Sequence, residues 1–152
     1  MEQNLTPQQL WDCALRLLSR RDHGRRELAR KLRQRGFEPA LIEQALERLE
    51  QQHWLEEERF VAVQVRQHVL KKHGPLRIRA ELQRKGIASA DIERALEEAA
   101  ADWFALAEHC YRARFTPAGR LDVKERARRM RYLQARGFGP EHIRHALESD
   151  PE

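Results

Sequence analysis

A chain of 152 residues with 35% charged side chains and a mean hydropathy of -0.82 leans toward disorder on averages alone, yet apolar residues recur at helical spacing nearly throughout. Its 29 Lys and Arg against 24 Asp and Glu give a net charge of +5, which suits an anionic partner but is modest for a dedicated DNA-binding protein. No apolar run approaches the roughly 20 residues needed to span a bilayer, and the start "MEQNLTPQQLWD" lacks the basic head and apolar middle of a signal peptide, so the expectation is a cytoplasmic protein with no membrane partner.

In chain order, Thr6-Pro7 opens a first helix over 7–20, a second covers 24–35 up to the stop at Gly36, and Pro39 starts a third over 39–52. A fourth spans 57–72, where Val61, Val65 and Val69 are spaced by four, as on a helix and not on a strand. Gly74-Pro75 begins a fifth over 75–85, ended by Gly86, and a sixth runs over 89–101 from Ser89. The last three are 103–114, 121–136 up to Gly137, and 140–148 from Pro140.

With Gly36, Gly86 and Gly137 in register, one pattern appears three times: Gly36-Phe37, Ile42, Ala45-Leu46; Gly86-Ile87, Ile92, Ala95-Leu96; Gly137-Phe138, Ile143, Ala146-Leu147. Repetition at this period marks a supersecondary unit whose neighbours stack over a shared core. The predicted fold is therefore all-α: three tandem three-helix modules, about nine helices, over 5–55, 56–102 and 103–149 in an elongated, curved array. Trp54-Leu55 and Trp103-Phe104 fall near the junctions, where packing would set the angle between units.

Charge follows the same period. Basic residues outnumber acidic ones nine to two over 16–35, seven to one over 66–85 and nine to two over 112–136; the segments after each invert the sign. Arg26, Arg30 and Arg33 lie at i, i+4 and i+7, opposite Leu28 and Leu32, and Lys124, Arg128 and Arg131 repeat that spacing away from an inward face read as Val123, Ala127 and Met130. With Arg25, Lys31, Arg77, Arg79, Arg84 and Lys85 they form the candidate partner- or DNA-binding set. The bland alternative is a solvated surface that forms ion pairs with the acidic third helices.

Catalytic signatures are missing from the sequence. The seven histidines form no HExxH frame or complete ligand set and read as surface or helix-terminal residues; there is no phosphate loop, nucleophile elbow or dinucleotide turn. Cys13 and Cys110 stand far apart with no CxxC partner, so each reads as a small buried residue in a reducing compartment. No catalytic residue, metal or cofactor is expected.

Three segments in succession, "RRELARKLRQRGF", "HWLEEERFV" and "HGPLRIRAELQRKGI", resemble the signatures of the RecX family, bacterial regulators of the RecA recombinase, and the resemblance runs from about Leu10 to Leu147. It implies a non-enzymatic protein that binds RecA filaments on single-stranded DNA and inhibits RecA ATPase, strand-exchange and coprotease activities, damping recombinational repair and the SOS response; a monomer is expected. Two departures stand out: Glu56 and Glu57 occupy the place where the family often has an Asp pair, and Gly24 stands where a Ser-like cap is common, which puts helix-start stability in question. A nucleic-acid binder acting without RecA and an inert helical adaptor remain the alternatives; an enzyme comes last.

Overall fold

The protein is described by a computed structural model over residues 5–149. These residues form nine helices and no strand: α1 (Pro7–Arg20), α2 (Arg25–Gln34), α3 (Pro39–Gln51), α4 (Glu57–Leu70), α5 (Pro75–Arg84), α6 (Ser89–Ala99), α7 (Trp103–Arg114), α8 (Val123–Ala135) and α9 (Pro140–Glu148). The spans read from spacing agree within two residues at every end. The substantial helix packings lie within α1–α3, α4–α6 and α7–α9, which makes three three-helix modules.

The repeated apolar positions are the core. Ile42, Leu46 and Phe37 are buried in the first module, as are Ile92, Leu96 and Ile87 in the second and Ile143, Leu147 and Phe138 in the third. One expectation fails here: the buried residues form three clusters, one per module, instead of a shared core. The repeat turns its apolar residues inward on each bundle, leaving little apolar surface to share. Trp103 crosses a boundary, packing from α7 against the second module's cluster, whereas Trp54 is 52% exposed and serves no core.

Each second helix ends in the same hydrogen-bonded stop. Gly36, Gly86 and Gly137 have φ of +95°, +86° and +99°, so the chain doubles back. The next amide then reaches the carbonyl five residues earlier: Phe37 N to Leu32 O at 3.3 Å, Ile87 N to Leu82 O at 3.1 Å and Phe138 N to Leu133 O at 3.2 Å. The same turn buries the bulky residue after each Gly beside the leucine whose carbonyl it uses.

Glycines also fix how modules meet. At the second junction Gly74 N donates to Arg136 O at 2.7 Å and Leu76 N to Gly137 O at 3.0 Å, so free amides at the start of α5 satisfy free carbonyls at the end of α8. A Cβ on Gly74 would overlap the Gly137 carbonyl and come within 2.6 Å of Phe138 N; one on Gly137 would come within 2.7 Å of Arg77 N. At the first junction the groups are side chains. Glu57 accepts from Arg25 N at 2.9 Å, Arg59 pairs with Asp22 at 2.7 Å, and Arg26 lies across Gly86. Glu57 thus caps α2 from another module, which answers the doubt raised by Gly24: a Cβ there would sit 3.2 Å from the Phe60 ring.

Four histidines read as surface or helix-terminal residues, His23, His68, His73 and His142, are helix-terminal and buried within their modules. His68 and His73 share one hydrogen bond, Nδ1 to Nδ1 at 2.7 Å, and His68 Nε2 lies 3.0 Å from Glu81. Burial, then the Arg77 and Arg136 charges, pulls His73 down to about 4 from 6.5; burial also lowers His68, with Glu81 opposing and Lys85, Lys71 and Arg77 assisting.

Two predictions follow from this geometry. Gly36→Ala meets only the positive-φ penalty, about 1–2 kcal/mol, because its Cβ would make an ordinary contact with Leu5 at 3.5 Å, whereas Gly137→Ala adds a backbone collision and should cost at least about 2 kcal/mol more by denaturant unfolding. Equal losses would mean that the junction is not packed as described. The second concerns acid: a histidine with a folded pKa below its unfolded value favours the neutral fold, so stability should be full above pH 6.5 and decline as pH falls toward about 4. Replacing His73 with Gln should flatten the pH dependence of unfolding in that window.

Candidate polyanion-binding groove

Helix α2 separates two kinds of arginine. Arg25 turns toward α3 and pairs with Glu43 at 2.6 Å and Glu50 at 2.5 Å; these two carboxylates, Glu43 first, push its pKa further up. Arg26, Arg30 and Arg33 turn the other way and meet Arg84 and Lys85 of the second module's α5 end across a groove of about 330 Å³. The acidic residue lining it, Glu27, is tied to Arg21 at 2.8 Å. Among the described residues, Arg26, Arg30, Arg33 and Arg84 have no carboxylate partner, while Lys85 is held by Gln64 at 2.7 Å.

Cations gathered without counter-charges raise the local potential and attract a polyanion. Guanidinium groups add planar, bidentate geometry that suits phosphate and carboxylate oxygens. The groove exists because Arg26 lies across Gly86, which brings the basic face of α2 up to the basic end of α5. Spacing along one helix showed the stripe; only the meeting of two modules shows the groove.

Other members of the sequence-derived set go elsewhere. Arg79 pairs with Glu93 of the third helix of its module at 2.6 Å, as the bland reading had it, whereas Arg77 pairs within its own helix with Glu81 at 3.1 Å. Lys31 reaches buried His23 at 2.9 Å. Arg128 pairs with Glu125 at 2.7 Å and lies over the Phe115 ring; Arg128 first, then Arg129, holds Glu125 down to about 2. Lys124 and Arg131 are exposed on α8, outside the groove.

The inward face of α8 was misread. Val123 is 87% exposed and Met130 only partly buried, whereas Leu133 and Arg129 are buried. Arg129 donates to Tyr111 Oη at 2.7 Å and Thr116 O at 3.2 Å and pairs with Glu125 at 3.0 Å. A charged residue at an inward position gives no apolar periodicity, so the pattern pointed one residue away. Among the described residues there is no group of three or more His, Cys, Asp or Glu placed to hold a metal, Cys13 and Cys110 are buried free thiols, and no helix is long and apolar enough to cross a membrane.

Comparison with known proteins matches this architecture module by module. Residues 11–49, 57–96 and 101–147 match the first, second and third three-helix domains of RecX. The chain is 43% identical over 141 residues to the regulatory protein RecX of Vibrio parahaemolyticus, covering 93% of this chain and 91% of that protein. It is 45% identical over 134 residues to the regulatory protein RecX of Pseudomonas fluorescens, covering 88% and 86%. Two crystal structures share the fold with a TM-score of 0.79 each: a regulatory protein RecX at 21% identity, covering 94% of this chain and 72% of that one, and RecX from Lactobacillus salivarius at 18%, covering 93% and 94%. With three successive domain matches and close relatives spanning nearly its whole length, the chain belongs to the RecX family of regulatory proteins.

Proposed function

We propose that this chain acts in the cytoplasm as a non-enzymatic monomer that binds RecA filaments on single-stranded DNA and inhibits RecA ATPase, strand exchange and coprotease activity, thereby modulating recombinational repair and the SOS response. Family membership supports a regulatory role, and the observation that carries the surface assignment is the groove of unneutralised arginines between the first two modules. A filament coated on single-stranded DNA offers a repeating line of phosphates and protein carboxylates, and a groove lined from two modules can follow such a line. Binding through several phosphates is salt-sensitive.

Reversing Arg26, Arg30 and Arg33 to Glu should leave helical content and stability near the parent, since exposed charges contribute under about 1 kcal/mol each. Inhibition of RecA ATPase on single-stranded DNA should collapse, because like charges across an interface cost several kcal/mol. Reversal of Lys124 and Arg131 should cost much less. Glu43 and Glu50 are poor controls because both hold Arg25. A folded Arg26, Arg30, Arg33 variant that inhibits fully would remove the groove from the contact surface. Equal affinity for bare single-stranded DNA with and without RecA would favour a nucleic-acid binder acting alone.

A further inference from the structure

On another side of the second module, α4 and α6 leave an apolar cleft of about 210 Å³, smaller than the roughly 300–1,000 Å³ of small-molecule sites. Val61, Ala62 and Ala95 form its floor, and Glu57, Glu58, Asp91, Arg94 and Glu98 its rim. Arg94 is already paired with Asp91, and one Glu57 oxygen is engaged by Arg25 N. Glu58 and Glu98 are exposed and, among the described residues, have no ion-pair partner. The rim thus keeps a net negative charge around a floor sized for one or two side chains, and it repels phosphate.

We propose that this cleft docks a cationic segment of the filament's protein component, one small apolar side chain entering between α4 and α6 while flanking Lys or Arg residues meet Glu58 and Glu98. Charge complementarity names the occupant: the acidic rim favours a cationic protein segment and selects against nucleic acid. The inference rests on the function proposed above and divides its labour. The basic groove of α2 and α5 takes the anionic side of the filament, and the acidic-rimmed cleft of α4 and α6 takes basic protein.

The test uses the full chain with Glu58→Lys and Glu98→Lys together, and a milder pair, Glu58→Gln with Glu98→Gln, that spares the first turn of α4 from a new positive charge. Glu57 stays untouched because it caps α2. Binding to RecA protein without DNA should weaken about tenfold or more for the Lys pair and less for the Gln pair, and more steeply at low salt, while binding to bare single-stranded DNA is kept or strengthened. Unchanged RecA affinity in both folded pairs overturns the proposal, even if reversal of Arg26, Arg30 and Arg33 abolishes inhibition; in that case the filament reading stands without this cleft. Concentration-dependent self-association of the parent chain that the Lys pair removes, with RecA affinity intact, overturns it in favour of a second copy as occupant.

Discussion

The arrangement of the modules depends on how closely one helix end can approach another helix start. The left-handed glycine turn that finishes each second helix leaves carbonyls pointing outward, and the glycine's missing side chain lets a neighbouring backbone reach them. At Gly137 that neighbour is the start of α5, and Gly74 removes the remaining obstacle from the other side. Two glycines on separate modules therefore act as a pair. At Gly86 the occupant is the Arg26 side chain, and that substitution of side chain for backbone turns a helix stop into one wall of the basic groove.

Charge is sorted by the same geometry. A net charge of +5 describes the chain poorly, because α2 sends Arg25 to the carboxylates of α3 and keeps its other arginines for the opposite side. On the α3 side, neutralisation is local: Arg25 alone engages both Glu43 and Glu50. Across the groove it is nearly absent, which leaves a concentrated positive field on that side of the module. Module by module, the first and second divide their cations between the two faces, whereas the third commits Arg128 and Arg129 to Glu125 and the aromatic residues of its own bundle.

Much of the fold was readable because its signals are local. Helix stops, proline starts and the Ile, Ala-Leu spacing each depend on a few neighbouring residues; all three modules share the stop and the spacing, and Ser89 replaces the proline start of the third helix in the middle one. The separate cores were harder to foresee, since periodicity tells which residues turn inward but not whose interior they enter. Arg129 was missed because a charged residue at an inward position looks polar in any pattern, and its justification, the Tyr111 hydroxyl and the Thr116 carbonyl, lies on another helix and a loop. Of the candidate basic residues, spacing found the α2 stripe, yet it could not separate Arg79, which has Glu93 across from it, from Arg84, which has no such partner.

The two junctions are built from different chemistry, and a chain so joined has two unlike joints. Between the first and second modules the links include an ion pair and a carboxylate cap, which dissolved salt weakens. Between the second and third they are backbone hydrogen bonds shielded by close packing, which salt scarcely touches. Ionic strength therefore acts on the first joint more than on the second. The arginine groove straddles that salt-sensitive joint, so the same screening that weakens its ion pair also weakens the repulsion among the groove's own cations.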